Sequence, residues 1–450
     1  MIVVLSQGCA ANFGDGEKIA RILSQKFEVT FEFPEAKPEA FYLNVCTVKG
    51  NAGAMKLLRK AASTFPGVPI YITGCAPKDF REEAIRAVPK VQFTTLAELE
   101  KDPLFIDYLG NAEQDRTRIS NRPKSPWSNA NGLKKTGASA SSAALGVRNV
   151  LRESPFVGIV NIEEGCLDAC AFCSTHLVKG RLHSFTPQTI VDQVQALVDD
   201  GCLEIQLTGQ DCACYGFDIG TNLAELTQRI LTHVNGNYRI RLGMGNPRHV
   251  LSYQEALLDC FTDDRIYKFI HIPVQSGSEN VLKAMNRRHT ARDYATLAHA
   301  FTERFRKFTL STDLIVGYPG ETAADFNDTL KLLNETRPTV CNITRFVARP
   351  GTVAAHLETA SNQAVPDDIK HERSAILAEA FLQIALENNR EWIGDECTVV
   401  TEKPGYRAGT TIARNEAYRP VALQGTFPAG QTLRVRITDA EPFALIAKPL

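Results

Sequence analysis

Residues 161–176 read NIEEGCLDACAFCSTH, directly after the apolar run 156–161, which has the length and β-branched content of a short buried strand. Cys166, Cys170 and Cys173 therefore share one loop at the carboxyl end of a strand. In β/α domains, that end carries the active site. Three thiolates this close in sequence can face one cuboidal 4Fe-4S cluster, leaving one iron open for a small ligand. Structural zinc asks for four protein ligands, normally in two pairs, and no matching pair follows closely. The plain alternative is three buried cysteines with no shared role; the strand-end placement argues against it.

Outward from this loop, strands are expected at 156–161, 203–208, 239–243, 268–274, 309–315 and 341–347, with helical patterns between them and the longest helix at 367–389. Six strands with right-handed crossovers predict a partial (β/α)6 barrel, short of eight-stranded closure. Residues 1–106 alternate in the same way, with strands at 2–5, 41–45 and 68–73 and helices at 15–26, 52–64 and 78–88. That predicts a separate α/β domain on a parallel sheet. Its three strands end at Cys9, Cys46 and Cys75. Loops at the carboxyl ends of parallel strands converge on one edge, where open α/β sheets bind ligands. Equivalent placement of all three favours a second cluster; a small apolar cysteine at each strand end is the plain alternative.

The stretch 107–150 differs. It is rich in Ser, Asn, Gly and Ala, and between Arg116 and Arg148 it holds seven Lys/Arg and no acid. It reads as a basic low-complexity linker. Residues 391–450 carry short β-prone runs punctuated by Gly and Pro, which predict a small antiparallel β-barrel. The expected organisation is thus α/β, with domains at 1–106, 151–390 and 391–450 and the linker at 107–150.

Composition bounds the function. The 450 residues include 50 Lys+Arg and 51 Asp+Glu, so no global basic field marks a nucleic-acid binder, and any basic face must be local. A hydrophobic share of 44% and a charged share of 22% exclude wholesale disorder and collagen-like structure. No apolar stretch approaches the roughly 20 residues of a membrane span. The N-terminus MIVVLSQGCA lacks the charged region of a signal peptide, so a cytoplasmic protein is expected. Twelve cysteines are too sparse for a disulfide scaffold and fit metal or redox chemistry better.

The Cys-x3-Cys-x2-Cys loop resembles that of the radical S-adenosylmethionine superfamily, with Phe172 at that family's aromatic position. The stretches LTGQD (207–211), RLGMGNP (241–247), HIPVQSGSENVLKAMNRRHT (271–290), TDLIVGYPGET (312–322) and ARPGT (348–352) resemble a narrower group, the methylthiotransferases. The N-terminal cysteine trio resembles that group's auxiliary-cluster domain. CTVKGN (46–51), with TGQD, is most similar to the archaeal and eukaryotic branch, which adds a methylthio group to C2 of N6-threonylcarbamoyladenosine beside the tRNA anticodon.

The resemblance implies two 4Fe-4S clusters, one on Cys166, Cys170 and Cys173 and one on Cys9, Cys46 and Cys75. It implies S-adenosylmethionine held near Phe172, Gly209, Gln210, Arg241, Gln275, Ser276, Asp313 and Gly317. Expected partners are a tRNA anticodon stem-loop, an electron donor such as a flavodoxin or ferredoxin, and a sulfur donor. A monomer without membrane attachment is expected. Lys179 and Arg181 are candidates for a cofactor carboxylate or an RNA phosphate. His271 reads as a hydrogen-bonded structural residue.

The C-terminal segment resembles a TRAM domain, an RNA-binding barrel. Eight Lys/Arg against seven Asp/Glu from Arg390 onward give it no bulk charge, so binding requires a gathered face. Arg407, Arg414, Arg419, Arg434 and Arg436 are the candidate cations, and Tyr406 and Tyr418 the candidates for stacking on bases. The other reading is a domain that only caps the barrel.

Two features depart from the family pattern: Ala-Ala-Asn after Cys9, and Cys212-x-Cys214 on a strand-end loop facing the active site, where the pair is a thiol store or an extra ligand on one reading and two non-ligand thiols on the favoured one. Cys202, Cys260, Cys341 and Cys397 are isolated and read as structural. The competing function is the sister methylthiolation of a ribosomal-protein aspartate, or of another modified adenosine. A radical methylase without sulfur insertion would not need the N-terminal trio, and an iron–sulfur electron carrier would not need the barrel.

Overall fold

Strands flanked by helices on both faces must be apolar on both faces, and the N-terminal strands are. The structure is a computed structural model in which residues 1–46, 51–101, 151–360 and 363–450 are described. The basic stretch 107–150 lies wholly outside them, as do residues 47–50 of the CTVKGN motif. The described residues form two compact units, one drawn from residues 1–76 and 80–153, the other from 154–450 with 77–79.

In the first unit, β1 (Ile2–Ser6), β2 (Val29–Thr30), β3 (Ala40–Cys46), β4 (Ile70–Cys75) and β5 (Gln92–Phe93) make an all-parallel sheet in the order β2-β1-β3-β4-β5. Ile2, Val4 and Tyr42 pack with Ile19 and Leu23 of the helix Ala10–Leu23, while Val3, Phe41 and Leu43 pack with Leu58 and Phe80. The period-2 alternation thus sorts the side chains between two helical layers.

The first helix begins at Ala10, five residues before the expected start, with Cys9 as its N-cap. At Gly16, a Cβ would stand 1.9 Å from Ser6 Oγ, so this glycine lets the helix lie close on β1. The short edge strands β2 and β5 were missed because two residues carry no periodicity.

The second unit holds β6 (Val157–Asn161), the small ribbon of β7 (Glu163–Glu164) and β8 (His183–Ser184), β9 (Glu204–Thr208), β10 (Arg239–Leu242), β11 (Phe269–His271), β12 (Thr309–Val316) and β13 (Val340–Arg345). Strands β10-β9-β6 and β11-β12-β13 form two parallel triplets. The triplets meet where Ile240 N–H donates to Arg265 O at 2.6 Å and Gly245 N–H to His271 O at 2.9 Å. The six expected strands are the six found, in sequence order around a partial barrel. One core, from Val160 through Ile240 and Leu310 to Ile384 of the helix Asp367–Arg390, fills it.

The C-terminal strands β14 (Glu396–Pro404), β15 (Thr410–Asn415), β16 (Pro420–Gln424), β17 (Thr432–Glu441) and β18 (Ala444–Pro449) close into a barrel in the order β14-β15-β16-β18-β17. It is not wholly antiparallel: β18 inserts beside β16 in parallel to complete the closure. The turn between β15 and β16 docks on the amino ends of the larger barrel's strands. Lys268 N–H donates to Glu416 O at 2.9 Å, and Tyr418 OH to Glu204 Oε1 at 2.9 Å. Arg414 lies 4.3 Å from the Tyr418 ring centroid. Arg419 is 4% exposed and bonds Asn389 and Thr339; burial pushes its guanidinium down to about 10.

Arg414, Arg419 and Tyr418, three of the residues expected to face RNA, therefore belong to this junction: Tyr418 bonds Glu204, Arg419 bonds Asn389, and Arg414 bonds Glu402 and the Tyr418 carbonyl. Tyr406, at 93% exposed, and Arg407, Arg434 and Arg436 remain at the surface. No helix among the described residues is long and apolar enough to cross a membrane.

Glu17, buried in the first helix, accepts the Glu153 backbone N–H at 3.1 Å, and burial pushes its carboxyl up to about 8. The folded chain holds this proton where the unfolded chain, near 4.5, has lost it. The group's contribution to stability therefore declines as pH rises from about 4.5 to about 8 and is flat above. Glu17→Gln is expected to remove that decline. Thermal melts of parent and variant should converge near the acid end of this range and separate, with the variant higher, at its alkaline end. Parallel pH profiles would contradict the assignment.

Candidate active site and cysteine clusters

In the second unit, the chain leaves β6 and pairs briefly with β8 before turning into the cysteine loop. Gly165 N–H donates to Gln210 Oε1 at 2.7 Å, and Cys166 N–H to Gly180 O at 3.3 Å. Ala171 N–H donates to Met285 O and Ala354 N–H to Ala171 O, both at 2.9 Å. Asn286 Nδ2 donates to Ala169 O at 2.7 Å. Backbone ties to two distant segments thus fix the loop that carries Cys170 and Cys173. Phe172 packs with Val281, Met285, Tyr318, Phe346 and Ala354 in a small core under it.

Charge beneath the loop is organised on Asp168. Its carboxylate accepts Asn246 Nδ2 at 2.6 Å and Arg248 Nη1 at 2.7 Å, and lies 3.1 Å from His249 Nε2. Burial alone would raise this carboxyl; His249 and Arg248 outweigh it and hold the group below its ordinary range. Arg287 sends Nη1 to Cys170 Sγ at 3.5 Å and Nη2 to Pro273 O at 2.6 Å. Burial raises the Cys170 thiol, with Arg287 opposing.

Glu163, 1% exposed, accepts the Asp211 N–H at 3.0 Å, and burial pushes its carboxyl up to about 8. Asp211, also raised by burial, accepts Asn246 N–H at 2.9 Å and Ala213 N–H at 3.2 Å through Oδ1. Cys214, fully buried, hydrogen-bonds the Cys166 sulfur and holds that thiol low against the effect of burial; its own thiol is driven far up.

The residues expected around the cofactor fall into two groups. Gly209 and Gln210 end β9 beside the loop, and Gln210 touches it through Gly165. Gln275, with φ +77°, exchanges backbone hydrogen bonds with Asp313 and Ile315 at 2.8 Å. Asp313 accepts His271 Nε2 at 3.0 Å and Asn342 Nδ2 at 2.7 Å, so three adjacent strands share one polar cluster.

Ser276, Gly317 and Arg241 are engaged in contacts of their own. Ser276 is wholly buried, with its hydroxyl 3.1 Å from Thr329 Oγ1. Gly317 makes room for the Lys370 stem, which a Cβ would meet at 2.3 Å. The Arg241 guanidinium lies over Phe269 and Tyr418 at 5.1 and 5.3 Å, among the residues of the barrel junction. Arg181 is exposed. His271 is hydrogen-bonded, as expected for a structural histidine. The sequence reading missed Asp168, His249, Arg287 and Asn342. Asp168 sits inside the cysteine motif itself, and that position was the available signal.

In the first unit, Cys46 and Cys75 are direct partners across β3 and β4. Cys9 follows Gly8, where a Cβ would stand 2.2 Å from Cys46 Cβ, so only glycine admits this approach. A hydrogen bond with Cys46, then burial, drives the Cys9 thiol far up. Asn12 and Asn44, both buried, brace the edge: Asn12 Nδ2 donates to Gln7 O at 2.6 Å and to Asn44 O at 3.0 Å. The trio expected from sequence is thus gathered on one edge.

Residues 160–333 match the Radical SAM superfamily, residues 1–95 the Uncharacterized protein family UPF0004, and residues 390–450 the TRAM domain. The probable threonylcarbamoyladenosine tRNA methylthiotransferase of Pyrococcus horikoshii is 34% identical over 94% of this chain and 93% of its own length. That of Archaeoglobus fulgidus is 33% identical over 97% and 96%. The chain belongs to the threonylcarbamoyladenosine tRNA methylthiotransferases. The human member is 29% identical over 94% of this chain and 69% of its own. The solved radical S-adenosylmethionine methyltransferase TsrM from Kitasatospora setae shares the fold, at TM-score 0.51 and 14% identity over 80% of this chain and 74% of that one.

In this methylthiotransferase, Gly209 carries a steric test. A Cβ there would stand 1.9 Å from Glu163 Oε1, the atom that accepts the Asp211 N–H. Gly209→Ala is expected to destabilise by about 1–3 kcal/mol, read by denaturant unfolding. An unchanged midpoint would mean that the Glu163–Asp211 contact is dispensable.

Proposed function

We propose that this chain is a tRNA methylthiotransferase that places a methylthio group on C2 of N6-threonylcarbamoyladenosine, in the anticodon stem-loop. The observation that carries the reading is the pair of thiol trios, each at the carboxyl edge of a parallel sheet, in a chain of this family. An aromatic C2–H has no useful acidity, so side-chain bases alone cannot activate it. The donor chemistry fits iron–sulfur clusters: each trio offers soft thiols spread over separate points rather than closed around one ion. When bound, the clusters and S-adenosylmethionine supply the electron, the radical that takes the C2 hydrogen, and the site for sulfur and methyl transfer.

The chain's own residues hold and orient. Cys166, Cys170 and Cys173 are the proposed ligands of one cluster, and Cys9, Cys46 and Cys75 of the other. Arg287 sets a positive charge 3.5 Å from Cys170 and ties it to the Pro273 carbonyl. Gln210 and Gly209 sit where the adenosylmethionine amino acid group would meet the loop. Gln275 and Asp313 are the proposed contacts on the far strands, with His271 and Asn342 orienting Asp313. Phe172 fixes the loop from below. Ser276 and Gly317 act through position, holding the segments that bear Gln275 and the β12 end. Arg241 shapes the barrel interior.

Tyr406, Arg407, Arg434 and Arg436 form the exposed part of the C-terminal barrel available to RNA. A flavodoxin or ferredoxin as electron donor, a separate sulfur donor, a cytoplasmic setting and a monomeric state complete the reading.

Iron counting tests the two trios. The anaerobically reconstituted chain is expected to hold about eight irons. Changing Cys166, Cys170 and Cys173 to Ala should leave half of them and abolish adenosylmethionine cleavage. Changing Cys9, Cys46 and Cys75 should also leave half, keep cleavage and stop methylthiolation. Full iron and product in the second variant would overturn the auxiliary cluster.

A further inference from the structure

Twelve cysteines exceed what two trios need, and the structure treats the extra ones differently. Cys212 turns its sulfur toward Leu207 O, 3.8 Å away, and a Cβ on Gly243 would stand 2.4 Å from it. It is packed. Cys214, two residues on, faces Cys166 instead. Both sit on a short turn fixed by Asp211, whose Oδ1 accepts Ala213 N–H at 3.2 Å and whose carbonyl accepts Cys214 N–H at 3.0 Å. The donor atoms of Cys166, Asp211 and Cys214 all lie within 4.8 Å of one another, and Asp211 and Cys214 are buried.

Among the described residues, Cys170 and Cys173 join no set this tight. That is as a cuboidal cluster requires, since each of its thiolates binds a different iron. A single tetrahedral ion is smaller. With metal–sulfur bonds of about 2.3 Å, it holds two sulfurs about 3.8 Å apart. A set already within 4.8 Å needs only slight closure to meet that geometry.

The other compact set, Asp168, Asp211 and His249, is a different case. Arg248 at 2.7 Å and His249 at 3.1 Å already serve the Asp168 carboxylate. No cation is needed there. The Cys166–Asp211–Cys214 set has two sulfurs and no basic side chain among its three members; His249 Nε2 lies 3.7 Å from Asp211 Oδ2, farther than its 3.1 Å from Asp168. Soft sulfur with one carboxylate selects a thiophilic divalent ion over magnesium or calcium.

We propose that, before the cluster is built, Cys166, Cys214 and Asp211 hold one thiophilic divalent ion, ferrous iron or zinc. Binding replaces two thiol protons with the metal and releases both to solvent, with no change of oxidation state. Cys166 belongs to this set and to the loop trio, so ion and cluster exclude each other there. The site is a loading position from which Cys214 is released as the cluster takes Cys166. That last step rests on the cluster reading above; the ion site itself rests on the three side chains.

The test uses the full chain with Cys9, Cys46 and Cys75 changed to Ala, reduced and stripped of iron without oxygen, and cobalt(II) as the probe. One cobalt per chain is expected, with thiolate-to-cobalt charge-transfer absorption. Cys214→Ser should roughly halve that absorption per cobalt and weaken binding at least about tenfold. Cys173→Ser should change neither. An unchanged spectrum in Cys214→Ser, or an equal loss in Cys173→Ser, overturns the proposal.

Reconstitution with iron and sulfide separates loading from ligation: Cys214→Ser should reach the same four irons as its parent, but several-fold more slowly. A final content below four makes Cys214 a ligand of the cluster, and an unchanged rate of uptake overturns the loading role. If cobalt binds as expected while the parent builds no cluster, the ion site stands and the cluster reading fails.

Discussion

Parallel β/α units end all their strands on one side, and the chemistry of this protein depends on that constraint. A cluster held by thiols from separate points needs several loops delivered to one edge. Cys46 and Cys75 end neighbouring strands in direct register, and Cys9 caps the helix that leaves the strand beside them. In the second unit, the loop after β6 carries all three cysteines, while Gln210, Asp211 and Cys214 arrive on the loop after β9. In the first unit the helices serve this placement by covering both faces of the sheet, which leaves its polar groups to the strand ends.

Much of this was legible in the sequence, for a physical reason. The cysteines follow apolar runs too short to be helices, so strand-end placement could be read from spacing alone. The six strands of the partial barrel were anticipated from short apolar and β-branched runs between helical patterns, although β10 alternates with Arg and β13 is largely exposed. What the sequence hid depends on contacts between distant residues. Nothing local to Arg287 announces that its guanidinium reaches Cys170 across 117 positions. Nothing local to Gly16 announces that it makes room for the Ser6 hydroxyl, which lies in another element. The parallel β16–β18 pair was invisible for the same reason.

The C-terminal barrel shows why charge counting is a poor guide to an RNA face. Arg414, Arg419 and Tyr418 read as cations and a stacking ring, yet Arg419 is buried and Arg414 and Tyr418 are half-buried, bonded to Asn389, Glu402 and Glu204 respectively. A buried charge is tolerated only when paired or hydrogen-bonded, and these are. They join the two barrels of the second unit, so the RNA face we propose is confined to the exposed Tyr406, Arg407, Arg434 and Arg436. The capping role read from sequence is met by one face of the small barrel, and the RNA role is proposed for another.

The central claim is that a radical formed at the Cys166 loop acts on adenine C2. A base held in a paired stem cannot present that carbon, so the target is an unpaired, unstacked loop nucleotide. The direct measurement supplies the holoenzyme with a threonylcarbamoylated anticodon stem-loop carrying deuterium at C2 of that adenine. The account predicts deuterium in the 5′-deoxyadenosine released, and a methylthio group at the same carbon of the RNA. Modified RNA accompanied only by unlabelled 5′-deoxyadenosine would contradict it, as would an unmodified RNA alongside a modified ribosomal-protein peptide.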